Sequence, residues 1–273
     1  MRLKITHKST YQYSKKVFVE PHHFYFYPLP RNYLTLLDFE LDVSPASDGL
    51  AQRVDAEDNL YHQCWFNEMM DHFTVIATIE IQTDEINPFN FLLEEKTEES
   101  HLRALKIFLE GTEISPEMKS WTDELRKNSQ DNLVTFLTFI NKEINDQWDH
   151  ETRYEEDLLE PGTCFKRKQG SCRDLSWMMI HMLRSESIPA RFVSGYAFND
   201  ELGEGHELHA WVEAWVAGAG WIGLDPSAGI LATDKYIPIV SSYHPTNTFP
   251  IQGTFRGEAV SKLDFEVKIK ELE

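Results

Sequence analysis

A chain of 273 residues in which 45 Asp and Glu outnumber 26 Lys and Arg carries a formal net charge of −19. The length suits one large or two modest domains, and an acidic surface without a compact basic patch excludes nucleic acid as a partner. Charges within Met1 to Lys8 speak against a secretory leader, no stretch approaches the roughly 18 apolar residues of a membrane span, and the three dispersed cysteines, Cys64, Cys164 and Cys172, suit neither a disulfide framework nor a zinc knuckle, so a cytoplasmic protein without membrane contact is expected.

From Met1 to about Thr83 the pattern is that of strands. Leu3-Lys4-Ile5 and Leu37 to Val43 alternate, Phe24 to Tyr27 is aromatic, and Phe73 to Gln82 is rich in β-branched residues. Pro28-Leu29-Pro30, Ser44-Pro45, Asp48-Gly49 and Asp58-Asn59 supply turns between them. An antiparallel, sandwich-like domain over residues 1–85 is predicted. The run Glu94 to Glu99 reads as a solvated connector.

Beyond it the period lengthens to that of helices. Ser115-Pro116 caps and opens one, with Met118, Trp121 and Leu125 on one face. Leu133, Phe136, Leu137, Ile140 and Ile144 mark a second, opened by Asp131 or Asn132. Ser171-x-x-Asp174 forms a capping box before the stripe Leu175, Met178, Met179 and Met182, which Ile188-Pro189 ends. Arg191 to Phe198, Leu208 to Ala217 and Trp221 to Asp225 then read as three strands, the last two joined by a turn at Ala217 to Gly220. Residues 86–273 are therefore expected to form a second, α+β domain.

Three residues of that domain carry chemistry. With Ser171 as cap, Cys172 is the first residue of its helix, where free N–H groups and the positive end of the dipole favour a thiolate. Period-2 alternation puts His209, Trp211, Glu213 and Trp215 on one strand face, with His209 exposed beside an aromatic wall and Leu208, Ala210, Val212 and Val216 facing the core. A hairpin centred near residue 217 brings Asp225 within a residue or two of His209, close enough to orient the imidazole and stabilise its cation. A thiol, an imidazole and a carboxylate so placed are what attack on an amide or ester carbonyl through a thioester requires. His206-Glu207-Leu208-His209 lacks the spacing of a helical zinc motif, and no phosphate loop or dinucleotide fingerprint occurs, so neither metal nor cofactor is expected.

At these residues the chain resembles the transglutaminase-like superfamily of papain-type cysteine enzymes, in its bacterial group with a β-rich N-terminal region. The likeness lies in Gly170-Ser171-Cys172-Arg173-Asp174, Ile188 to Tyr196, His209-Ala210-Trp211-Val212-Glu213 and Gly220 to Pro226, with weaker echoes in Leu29-Pro30-Arg31, Asp55 to Leu60 and Pro250 to Gly257. Ala56-Glu57-Asp58-Asn59 departs from the group, where a glycine beside the Asn is expected, and so does Ser227, where Thr is common. The resemblance implies a Cys-bearing helix packed on an antiparallel sheet that bears His and Asp. Cys172 would be the nucleophile, His209 the general base and acid, and Asp225 the orienting group. A second oxyanion donor would come from upstream of the nucleophile, with Gln169 and Trp148 as candidates. It implies a cysteine peptidase or amidase acting on a peptide or protein; transglutamination and a non-catalytic binding module of the same fold remain the alternatives.

Overall fold

The protein is seen in a computed structural model that describes residues 1–94, 98–111, 113–153, 157–203 and 205–272; part of the expected connector, residues 95–97, lies outside them. In chain order the strands and helices are β1 (Arg2–Val19), β2 (His22–Phe24), β3 (Leu34–Ser44), β4 (Gly49–Val54), β5 (Leu60–Trp65), β6 (Met70–Thr83), α1 (Glu99–Ala104), α2 (Pro116–Asn128) and α3 (Leu133–Gln147). They continue with β7 (Asp149–His150), α4 (Pro161–Arg167), β8 (Gln169–Gly170), α5 (Cys172–Ser185), β9 (Ala190–Ala197), β10 (Gly205–His206), β11 (Leu208–Val216) and β12 (Gly220–Asp225). The last are β13 (Ile230–Leu231), β14 (Tyr236–Ser242), β15 (Ile251–Gln252), β16 (Phe255–Arg256) and β17 (Ser261–Leu272). This is the α+β architecture expected, and among the described residues no helix is long and apolar enough to cross a membrane.

The N-terminal strands build a β-sandwich. One sheet runs β10-β17-β1-β6-β3, with β16 paired to β1; the other, of four strands, runs β15-β2-β5-β4. Odd-numbered residues of β1 point inward from Leu3 to Tyr13 and again at Val17 and Val19, on either side of a register shift, as period-2 alternation requires. Val17 and Val19 join Phe24, Phe66, Phe73 and Val75 between the sheets, whereas Leu3 and Ile5 join Ile79, Ile81, Val267 and Ile269 in a core shared with Tyr196, Ile237 and Ile239 of the second unit. The chain therefore crosses between the two units more than once: β15, β16 and β17, from beyond residue 250, complete the sandwich begun by residues 2–83.

The second unit is a five-stranded antiparallel sheet, β13-β12-β11-β9-β14, with α5 laid across it. The helix caps fall where expected: Ser115 accepts the Met118 N–H, and Asn132 accepts that of Thr135. Leu175, Met178, Met179 and Met182 of α5 pack with Ala210, Val212, Ala214 and Val216 of β11 in the largest apolar cluster.

Polar contacts fasten the sandwich to this sheet. Arg31 and Arg191 close on the buried carboxylate of Glu213 from the two units. Asn59 donates to the Ser241 carbonyl at 2.9 Å and accepts its N–H at 2.8 Å, pairing with β14 as a strand would. Glu57 accepts the Ser242 hydroxyl and, at 2.8 Å, the Tyr243 N–H. The residue between them, Asp58, has φ 63, which explains why a glycine is expected here and how Asp substitutes: it is among the side chains that best tolerate the left-handed region.

Candidate functional site

The helix bearing Cys172 starts there because Ser171 caps it reciprocally. Asp174 Oδ2 accepts the Ser171 N–H at 2.9 Å, and Ser171 Oγ accepts the Asp174 N–H at 3.4 Å. Both oxygens of the fully buried Asp174 also accept from Arg153 at 2.8 Å, and one accepts the Leu159 N–H at 2.7 Å. Burial opposes ionisation of this carboxyl, but Arg153 and the N–H donors prevail and hold it below the usual range. The turn that presents the thiol is thereby pinned from both sides.

The hairpin of β11 and β12 presents the other two groups. Its register, Val212 opposite Leu224 and Val216 opposite Gly220, extends to set Asp225 opposite Trp211, diagonal to His209 on the same face. His209 Nε2–H donates to Asp225 Oδ2 at 2.6 Å, which leaves Nδ1 for the Cys172 sulfur. Asp225 is saturated with donors. Oδ2 also accepts the Tyr236 hydroxyl at 2.7 Å, and Oδ1 accepts the Ser227 hydroxyl at 2.6 Å and the Ser227 and Ala228 N–H groups at 2.9 and 3.2 Å. Ser227 thus supplies the hydroxyl that the expected Thr would offer. Tyr33 of the sandwich in turn donates to the Tyr236 carbonyl at 2.9 Å.

These contacts set the charges. Burial by itself would disfavour the Cys172 thiolate, but the His209 charge and hydrogen bonds from His150, His209 and the Ala210 N–H pull the thiol down from 9.0 to about 6. Burial likewise opposes the His209 cation, and Asp225 together with Cys172 raises this imidazole well above 6.5. Asp225 is held at about 2, His209, Ser227 and Tyr236 outweighing its burial. Both shifts favour the thiolate and imidazolium form of the pair. The other cysteines behave oppositely: burial pushes Cys64 to about 11 and Cys164 to about 12, the neighbouring Asp174 adding to the second.

The expected aromatic neighbour stands beside His209, the Trp211 ring centroid 6.4 Å away, but inside the fold and not at its surface. Because β11 is central in its sheet and the sandwich covers one face, Trp211 and Glu213 are buried, at 1% and 4% exposed. His209 keeps an opening, with 21% of its side chain exposed, and Trp215 further along the strand is half-buried. Trp148 is not free to donate in the site, since its indole N–H goes to the Cys164 carbonyl at 3.2 Å and its ring packs on Trp121 and Phe165. Gln169 pairs through its backbone with Asp149. One residue that sequence reasoning missed, His150, reaches the sulfur; its two-residue strand has no periodic signal. His206 turns to Asn199 and stacks on Phe198, and among the described residues no group of His, Cys, Asp or Glu could hold a metal ion.

A helix-borne thiol set against a sheet-borne imidazole and carboxylate defines a papain-like arrangement. The chain belongs to the transglutaminase-like superfamily: that family's core matches residues 119–226, and the bacterial transglutaminase-like N-terminal region matches residues 3–82. The crystal structure of a Cytophaga hutchinsonii protein named a "Putative Cysteine Protease" shares the fold, with a TM-score of 0.73 at 20% identity over 100% of this chain and 91% of that one. Uncharacterized protein ML0607 of Mycobacterium leprae is 34% identical over 110 residues, 38% of each protein. A protein-glutamine gamma-glutamyltransferase of Pseudomonas aeruginosa is 37% identical over 70 residues, 23% of this chain and 10% of that protein.

Proposed function

We propose that the protein is a cysteine-dependent hydrolase of amide or peptide bonds, acting on a peptide or protein through Cys172, His209 and Asp225. The observation that carries this reading is the contrast among three thiols: the one at a helix start, beside an imidazole clamped by a buried carboxylate, is acidified, and the other two are suppressed. The Cys172 sulfur attacks the carbonyl carbon, a C–S bond forms, and the carbonyl electron pair moves to oxygen. As that pair returns, the C–N bond breaks and the His209 imidazolium gives its proton to the leaving amine. Neutral His209 then takes a proton from water, whose oxygen attacks the thioester, and the thiolate leaves. Asp225 keeps the ring oriented and stabilises its cation throughout. The scheme draws on no cofactor.

The partial exposure of Cys172 and His209 supports hydrolysis, because water can reach the acyl-enzyme. Transamidation keeps the first half and lets an amine resolve the thioester; the likeness to a gamma-glutamyltransferase favours this second reading. Incubation with a peptide library and a labelled amine, beside a Cys172→Ala control, separates them. Cleaved peptides without incorporated label support hydrolysis, label incorporated without cleavage supports the alternative, and no difference from the control refutes both.

A further inference from the structure

Two imidazoles, those of His209 and His150, interact with the Cys172 sulfur, and the triad accounts for only one. His150 stands on β7, whose parallel pairing sets it beside Gly170, two residues before the nucleophile. Backbone hydrogen bonds fix it on either side: the Asp149 N–H donates to the Lys168 carbonyl at 2.9 Å, and the Glu151 N–H to the Gly170 carbonyl at 3.0 Å. The preceding residue, Trp148, is buried and anchored by its indole. From this base, two residues before the nucleophile across the β7–β8 pairing, the His150 ring interacts with the sulfur while the residue stays exposed, so a carbonyl arriving at the thiolate also arrives at His150.

The two rings cannot do the same work. His209 has its Nε2–H on Asp225 and must pass a proton from its other nitrogen to the leaving group. As the sulfur's charge moves to the carbonyl oxygen during attack, a donor resting on the sulfur is left facing the new negative charge. The backbone N–H of Cys172, the first residue of α5, has no acceptor within its helix. Two donors of this kind are what a tetrahedral oxyanion requires.

We propose that His150 is a catalytic residue whose ring N–H holds the Cys172 thiolate at rest and moves to the carbonyl oxygen as the C–S bond forms, completing an oxyanion hole with the Cys172 N–H. The inference rests on the acyl-transfer reading above. It is consistent with the sulfur raising the affinity of His150 for its proton, against the opposing effect of burial.

Two probes separate the roles. Iodoacetamide alkylates a thiolate without forming an oxyanion, whereas p-nitrophenyl acetate acylates it through one and releases p-nitrophenolate. His150→Ala is expected to lower acylation by roughly 100- to 1,000-fold, the usual consequence of losing one oxyanion donor, with alkylation at a pH where the thiol is fully ionised kept within about threefold. His150→Gln, whose amide N–H can still donate, is expected to recover at least about tenfold of the loss. An unchanged ratio of acylation to alkylation in His150→Ala overturns the proposal, whether both rates fall together or neither falls. Wild-type acylation no faster than that of Cys172→Ala overturns the acyl-transfer reading itself, and this one with it.

Discussion

Replacing His209 by Ala removes the largest influence that favours the Cys172 thiolate. The drop from 9.0 to about 6 spans about three pH units, roughly 4 kcal/mol of differential stabilisation. With the imidazole gone, the penalty of burial persists against only the His150 and Ala210 donors, so the ionisation midpoint is expected to climb towards 9. At pH 7 the thiolate would fall from about nine molecules in ten to about one in a hundred. The alkylation rate at that pH falls much less, because a more basic thiolate is more nucleophilic; over three pH units this returns roughly 20-fold and leaves a loss of about fivefold. The midpoint is therefore the diagnostic quantity. Alkylation of Cys172 by iodoacetamide, followed peptide by peptide in the mass spectrometer from pH 4.5 to 10, should show half-maximal rates near pH 6 in the wild type and near 9 in His209→Ala, with Cys64 and Cys164 as unreactive internal references. A wild-type midpoint near 9, or one unmoved by the substitution, refutes the reasoning and points to a binding module that has kept the fold.

Tyr236→Phe deletes the hydroxyl that donates to Asp225. A hydrogen bond to a charged group contributes about 1.5–3 kcal/mol, so acylation by p-nitrophenyl acetate should slow by roughly 10- to 100-fold with alkylation of Cys172 retained; an unchanged rate counts against Asp225 as the group that orients His209. Because Asp225 is depressed from 3.8 to about 2, its contribution to folding is complete above 3.8 and lost as the pH falls through 2, about 2 kcal/mol in all. Urea midpoints measured across that window should fall in the wild type and flatten in Asp225→Asn; parallel curves would exclude the linkage. Glu213→Ala leaves Arg31 and Arg191 without their shared carboxylate and should cost about 3–5 kcal/mol in urea unfolding, a loss below 1 kcal/mol being incompatible with the buried pairing. Gly195→Ala places a methyl 2.2 Å from the Ile237 carbonyl oxygen and 2.8 Å from Trp211, and should destabilise by at least about 1–3 kcal/mol; an unchanged melting temperature would contradict the packing of β9 on β14.

Local rules made part of this structure legible. Ser115, Asn132 and Ser171 announce their helices because a side-chain cap is a matter of three residues, and the hairpin from Leu208 to Asp225 follows from alternation around a glycine turn. What escaped depends on distant partners. Glu213 reads as solvent-facing on its own strand; Arg191 on the neighbouring strand and Arg31, 182 residues upstream, together make its burial tolerable. In β17 the charged run from Ser261 to Leu272 buries just Val267 and Ile269, too sparse a pattern to mark a strand without knowing that β1 awaits it. His150 gains its place from a parallel pairing across twenty residues that no periodicity encodes.

The pairing of Arg2 with Leu272 joins residues far apart in the sequence, with both units of the fold between them. During vectorial synthesis β1 emerges long before β17, so one of its flanks stays bare while the residues between them are made. Such a long-range closure is slow and leaves an open edge exposed to stray partners meanwhile. Maturation of the sandwich is thereby tied to the arrival of β17, and nascent chains that stop short of that strand would be prone to aggregate.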